Sequence, residues 1–292
     1  MRKFKVSQAG TGQRADIFVA SKYPEFSRSS LEGLFDKKLI KIDGTDAKAS
    51  QKLHAGEQIV IDDSSLKIKP QKIELPVVYE DKNVLVIDKK AGVLTHSKGA
   101  LNSEATVASF ISDKLTDKTM SGNRAGIVHR LDRATSGLII TARTGEASAH
   151  LQKQFSKRKT KKTYVAVVEG WPNPTEALID APIERNPRRP QTFRVAAGGK
   201  PAQTQYKTLK TFEKKGKKYA LLELKPITGR THQLRVHLKY IDHPIVGDSL
   251  YGWGDGNLLL HATGLELTLP DSERKVFVSE IPKRIVEFLA DG

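Results

Sequence analysis

The stretch from Gly126 to Arg143, GIVHRLDRATSGLIITAR, constrains this chain more than any other. It sets the Asp132 carboxylate between Arg130 and Arg133, follows it with the small polar turn Ala134-Thr135-Ser136-Gly137, and continues into the apolar run Leu138-Ile139-Ile140. A short β-branched run behind a glycine reads as a buried strand. Asp132 is therefore expected on a loop entering the core, where a carboxylate is positioned without being engulfed. Taken alone, an Asp in such a setting reads first as the structural partner of a neighbouring arginine. The remainder of the chain has to decide between these readings.

Composition narrows the choice. At 292 residues, the chain has room for one large domain or for one large and one small. With no cysteine it can hold no disulfide and no thiolate zinc site, which excludes the Cys-ligated zinc centre of a nucleobase deaminase. No apolar run is long enough to cross a bilayer, and MRKFKVSQAG lacks the apolar core of a signal peptide. The expected location is the cytoplasm. A net charge of +16 points to a polyanionic partner, nucleic acid first and a membrane surface second. The membrane reading lacks a basic amphipathic helix with an aromatic face. The charge is spread over the chain: residues 1–62 hold 11 Lys and Arg against 8 Asp and Glu, and the excess continues beyond.

Residues 12–62 read as a small unit. A helical pattern over Ala15–Ala20 stops before Pro24, and Ser27-Arg28-Ser29-Ser30 starts a second helix with Leu31, Leu34 and Phe35 on one face. Leu39-Ile40-Lys41-Ile42 alternates like a strand and meets the hairpin-type turn Asp43-Gly44, and Gln58-Ile59-Val60-Ile61 closes the unit. This order, with its SRS helix start, IDG turn and LHAGEQIVI ending, resembles an S4 RNA-binding domain (α-L type). The resemblance makes Arg28, Lys37, Lys38 and Lys41 candidates for phosphate contacts. Lys38 stands where that family usually has glycine, and a left-handed turn there costs a lysine energy.

Residues 63–72, polar and containing Pro70, read as a linker, and residues 73–292 as a second domain. Its opening, LPVVYEDKNVLVID, gives two strands about a polar turn. Helices are expected over Ser103–Leu115, capped by Ser103, and over Thr144–Phe155. The run Lys153–Lys162 packs six positive charges and no negative one into ten residues, a density that a phosphate backbone would favour. Tyr164–Gly170 is a strand. Ile183–Lys200, IERNPRRPQTFRVAAGGK, is a long polar segment with Arg185, Arg188, Arg189 and Arg194, read as a hairpin or flap that grips RNA or else as a plain surface loop. In Pro226–Leu238, PITGRTHQLRVHL, the two histidines are not at the spacing of a helical zinc pair, so no metal site is expected.

HRLD followed by TSGL, then GRTHQLRVH, then HPIVGD and LLLHA, resembles the ordered motifs of the RluA-type pseudouridine synthases. Lys90 and Ala125 replace common prolines of that family, and Ala134 a common acidic residue. The resemblance implies an α+β fold, a mixed and largely antiparallel sheet with a central catalytic cleft, and an S4 domain at the N-terminal end. It also implies a reaction that isomerises uridine to its C-glycoside. No electrons are exchanged, so no cofactor is expected. Asp132 is then the catalytic carboxylate near C1′, Arg230 the guanidinium that keeps it ionised, and Tyr164 the ring that stacks on the uracil. Arg130 takes the place of the extruded base, whose unstacking costs a few kcal/mol. Lys157, Arg158, Lys159, Arg188 and Arg189 are expected along the RNA backbone.

The expected substrate is structured RNA, large-subunit ribosomal RNA first and transfer RNA second, and a monomer is the default. A non-catalytic RNA-binding or ribosome-assembly factor retaining the fold accounts for the charge and the S4-like unit, but not for the joint presence of Asp132, Tyr164 and Arg230. A glycosidase lacks a second acid near the first.

Overall fold

The computed structural model describes residues 1–68, 70–97, 99, 101, 103–271 and 273–290. Lys69 of the expected linker, and Lys98, Ala100, Asn102, Ser272, Asp291 and Gly292 of the expected second domain, lie outside the described residues. The chain divides into two compact units: residues 1–74 with 96–126, and residues 75–95 with those from 127 onward.

In the first unit, β1 (Arg2–Lys5), β4 (Gln58–Ile61), β2 (Ile40–Ile42) and β3 (Thr45–Asp46) form an antiparallel sheet in that order. Helices α1 (Ala15–Lys22) and α2 (Arg28–Asp36) supply Phe18, Val19, Leu31, Leu34 and Phe35 to a core shared with Ile40, Leu53, Ile59 and Ile61. Ser27 caps α2 by accepting from the Ser30 N–H at 3.3 Å. The helix stops at Lys38, which takes φ 56° so that the Leu39 N–H reaches the Leu34 carbonyl at 2.8 Å. Lysine thus makes the left-handed turn that glycine would make more easily, at roughly 1–2 kcal/mol. Asp43 (φ 47°) and Gly44 (φ 82°) form the expected tight turn.

Three boundaries differ from the sequence reading. The first unit starts before residue 12, because β1 pairs with β4 in its sheet. The expected linker begins inside this unit: Asp63 is buried and pairs with Arg2 at 3.2 Å. Residues 96–126, assigned from sequence to the second domain, belong to the first unit, where Leu101 packs on its core. Helix α3 spans only Val107–Ser112 and is capped by Thr106, not by Ser103. The reason is a reciprocal box: Thr106 Oγ1 accepts from Ser109 N–H at 3.0 Å, and Ser109 Oγ accepts from Thr106 N–H at 2.8 Å.

In the second unit, nine strands form one mixed sheet among the described residues. They are β5 (Val77–Glu80), β6 (Val84–Lys89), β7 (Ser136–Ala142), β8 (Lys161–Glu169), β9 (Glu176–Asp180), β12 (Gln203–Lys214), β13 (Lys217–Pro226), β14 (Leu260–Thr268) and β15 (Arg274–Val278). The order is β5-β6-β7-β14-β8-β13-β12-β9, with β15 paired to β14. Every pairing is antiparallel except β7 with β14. Strand β7 is buried along its whole length, as its unbroken apolar run requires.

Alternation on β8 serves two faces: Ala166 and Val168 meet Leu234 and Leu238 of α5 (Gln233–Tyr240), while Val165 and Val167 meet Ile285 of α6 (Lys283–Ala290). Helix α4 (Gly145–Ser156), capped by Thr144, packs Ala147 and Leu151 against Val84, Leu138 and Ile140. The Ile183–Lys200 segment folds as a hairpin of β10 (Ile183–Arg185) and β11 (Phe193–Val195). One register matters most for the site. Ala262 of β14 pairs with Gly137 of β7 on one side and Tyr164 of β8 on the other. That fixes Tyr164 beside the loop that carries Asp132.

Candidate active site

Alternation along His129-Arg130-Leu131-Asp132 anchors this loop. His129 Nε2 accepts the Ile140 N–H at 3.0 Å while its ring stacks on Phe155. Burial drives its pKa down to about 3, so it stays neutral and remains an acceptor. Leu131 is buried, and its backbone is clamped by Thr95, whose hydroxyl donates to Leu131 O at 2.8 Å and accepts from Leu131 N–H at 3.2 Å. Arg130 and Asp132 take the other side. Arg130 is exposed, and the Asp132 side chain keeps 19% of its surface.

Beneath the turn, the ammonium of Lys89 is fully buried and donates to the carbonyls of Val93 (2.8 Å), Lys90 (3.1 Å) and Arg133 (3.3 Å). Burial brings its pKa down to about 7, against the opposing pull of Asp132. Two loops are thereby tied together next to the acid.

Asp132 opens into a cavity of about 540 Å³. Its lining carries five basic side chains, Arg130, Arg158, Lys162, Arg230 and Arg235, and one acid, Asp132 itself. Tyr164 lines it half-buried, and both burial and the Asp132 charge push its hydroxyl above the ordinary phenol range. Lys162 turns inward from the basic run, donates to Thr228 O at 3.5 Å, and has its pKa lowered by burial. Arg158 ends α4 at φ 56° and reaches the rim, while Lys157 and Lys159 are exposed beside it.

The expected Asp132–Arg230 pair is not what the structure shows. Arg230 lines the same cavity but spends its Nε–H on Pro201 O at 3.0 Å. The guanidinium beside Asp132 is Arg235, with Nη1 4.0 Å from Oδ2. Arg235 is 5% exposed and forks onto the buried Asp248, with Nε to Oδ2 and Nη2 to Oδ1 both at 2.7 Å. The reason lies in the loop. Gln233 Oε1 accepts the Arg230 N–H at 3.0 Å and its Nε2 donates to Gln203 O, which pins Arg230 at the β13 end while α5 carries Arg235 inward.

His232 approaches the same carboxylate oxygen, with Nε2 3.9 Å from Asp132 Oδ2. His237 is buried and spent on Thr204 Oγ1 and Ala181 O, a packing role. Sequence reasoning passed over Arg235, His232, Lys89 and Lys162. Arg235 lies within the quoted GRTHQLRVH motif, three residues after His232, so the signal was present without its partner Asp248.

The remaining candidates are not among the residues that line this cavity. Arg188 and Arg189 are exposed on the β10–β11 hairpin. In the first unit, Arg28, Lys37, Lys38 and Lys41 are exposed; Lys38 pairs with Asp46 at 3.2 Å and Arg28 approaches Asp16 at 3.9 Å.

A lone carboxylate under a guanidinium, walled by a phenol, in a cationic cleft of a mixed sheet, defines an enzyme acting on a polyanionic substrate. Residues 83–240 match the family described as RNA pseudouridylate synthase. The chain belongs to this family and is a pseudouridine synthase, an isomerase. Among its relatives, the ribosomal large subunit pseudouridine synthase D of Borreliella burgdorferi is 36% identical over 99% of this chain and 92% of its own length. The protein of the same name from Xanthomonas campestris is 38% identical over 86% of this chain and 75% of its own. The human RNA pseudouridylate synthase domain containing 1 superposes with a TM-score of 0.59 at 26% identity, covering 73% of this chain and 86% of its own.

Proposed function

We propose that this chain isomerises uridine to pseudouridine in structured large-subunit ribosomal RNA, with Asp132 as the carboxylate that meets C1′. The observation that carries the reading is the placement of Asp132 on the floor of a cationic cavity with Arg235 at 4.0 Å. A carboxylate in a closing cleft tends to take up a proton, and the guanidinium opposes this. Ionised, it stabilises positive charge at C1′ or attacks there while the N1–C1′ bond breaks. The base turns, C5 joins C1′ as any bond from Asp132 breaks, the C5 proton leaves, and N1 takes up a proton. Tyr164 stacks on the extruded uracil, and Arg130, exposed at the rim, fills the space the nucleotide vacates.

Backbone phosphates fall to Lys157, Arg158 and Lys159 at the end of α4, and to Arg188 and Arg189 on the hairpin. Arg230 joins these rim cations instead of pairing with the acid. The first unit has the sheet, helix start and turn of the S4-like reading, and we assign Arg28, Lys37, Lys38 and Lys41 to further phosphate contacts there. The names of the relatives support ribosomal over transfer RNA as the substrate.

Release of tritium from RNA labelled at uracil C5 tests the reaction, with Asp132→Asn as the control. Activity retained by the variant would overturn the assignment of Asp132. Mapping pseudouridines in ribosomal and transfer RNA from cells with and without the protein separates the two substrates: sites lost only from transfer RNA would reverse the choice.

A further inference from the structure

A chain of contacts runs from the β10–β11 hairpin to Asp132. The Phe193 N–H on β11 donates to the Tyr251 hydroxyl at 2.9 Å. That hydroxyl lies 2.7 Å from His232 Nδ1, and His232 Nε2 lies 3.9 Å from Asp132 Oδ2. Donor and acceptor roles follow from the first link. With Phe193 occupying one lone pair, the single phenolic proton has Nδ1 as its near acceptor. An imidazole accepting at Nδ1 carries its own proton at Nε2, the atom that faces Asp132.

Two further observations agree. Burial lowers the His232 pKa, which favours the neutral ring, and burial pushes the Tyr251 hydroxyl up to about 12, so the donor keeps its proton. His232 also holds φ 56°, a left-handed conformation that costs a non-glycine residue energy and persists only where its surroundings enforce it. Phe193 and Tyr251 pack edge-on against its ring, at 5.6 Å each. Several side chains therefore hold one strained histidine in one orientation toward the acid.

We propose that the chain Phe193–Tyr251–His232 is a positioning device, in which the hairpin backbone and Tyr251 fix His232 as a neutral Nε2–H donor that orients Asp132. It rests on the synthase reading above and adds residues to it. The gap of 3.9 Å exceeds a hydrogen bond, so orienting Asp132 requires it to shorten when substrate fills the cavity. Because β11 belongs to the hairpin that carries Arg188 and Arg189, the segment assigned to RNA contact is coupled to the acid.

Three variants test this: Tyr251→Phe, His232→Gln and the pair combined, with His232→Ala for comparison. Single-turnover tritium release reads the chemical step, RNA binding is measured separately, and thermal melts check folding. Glutamine keeps an amide N–H and needs no tautomer control, so it should rescue activity relative to alanine. Tyr251→Phe should slow the chemical step about tenfold, the scale of lost outer-shell orientation, with RNA affinity unchanged. The double variant should be no slower than His232→Gln alone.

A folded Tyr251→Phe protein reacting at the wild-type rate overturns the proposal, as does a loss confined to affinity or an additive double variant. Should Tyr251→Phe fail to fold, equal rates for His232→Gln and His232→Ala still overturn it. A wild-type protein that releases no tritium instead refutes the synthase reading beneath it.

Discussion

Arg235 reaches Asp132 with only one of its nitrogens, Nη1 at 4.0 Å, because Nε and Nη2 are committed to Asp248 at 2.7 Å each. Asp248 is buried and also accepts the N–H groups of Leu250 and Tyr251. The charge beside the acid is thus held rigidly by a second carboxylate and is not free to follow the first.

Arg235→Lys is expected to keep a positive charge but lose the fork, since an ammonium cannot bond both Asp248 oxygens and still face Asp132. Single-turnover tritium release should fall about 100-fold, the scale of removing one preorganised charge from a reacting centre. Arg235→Ala goes further and leaves Asp248 buried without its counter-ion. Urea unfolding should show a loss of about 3–5 kcal/mol. A lysine variant with wild-type chemistry would remove Arg235 from the mechanism.

Arg230 should behave differently, because it bonds Pro201 O and faces the cavity from the rim. Arg230→Ala is expected to weaken RNA binding and to lower the slope of log affinity against log salt by about one, as for a single lost phosphate contact. Its chemical step at saturating RNA should survive. A variant that binds RNA normally but cannot release tritium would return to Arg230 the role first expected for it.

That exchange of arginines marks the limit of the sequence reading. Residues 126–143 foretold a loop leading into a buried strand, because an apolar β-branched run behind glycine has few other solutions. The α2 cap and the Asp43-Gly44 turn were legible for the same local reasons, whereas the largely antiparallel sheet was legible only through the family resemblance. Which guanidinium meets Asp132 depended on Asp248, 13 residues beyond Arg235, and on Gln233 pinning Arg230; neither is a local pattern. Lys89 was equally hidden, since a lysine in Asp88-Lys89-Lys90 looks like solvated charge until three carbonyls converge on it. The membership of residues 96–126 escaped because Leu101, a lone apolar residue in a polar stretch, carries no periodicity.

Gly137 tests the register that places Tyr164. It sits at φ 112°, and a Cβ there would come 2.3 Å from the Ala262 carbonyl oxygen. The three nearest atoms are all backbone of Ala262, which cannot swing aside as a flexible side chain would, and the conformation is itself unfavourable for an L side chain. Gly137→Ala is expected to cost at least about 4 kcal/mol, in the range of exceptional single substitutions. Thermal unfolding or loss of soluble protein would report it. A variant with wild-type stability would mean that β7 and β14 do not approach as described.

Acid should destabilise the second unit through His261. Its Nδ1 meets Ser136 Oγ at 2.8 Å and its Nε2 meets Ser279 Oγ at 3.0 Å, one residue from Gly137 and beneath the Asp132 turn. Burial lowers its pKa from 6.5 to about 4. Between those values the unfolded chain binds a proton that the folded one refuses, so stability falls as pH drops from about 6.5 to about 4 and levels off below. At about 1.4 kcal/mol per pH unit, this group alone removes roughly 3 kcal/mol by pH 4. His129, held neutral down to about 3, adds in the same direction over a range reaching lower. His261→Gln can bond both serines without titrating, and should flatten the limb between pH 6.5 and 4 while leaving the His129 contribution. Urea midpoints at half-unit steps of pH would show this, and a variant whose midpoints track the wild type throughout would exclude His261 as the source.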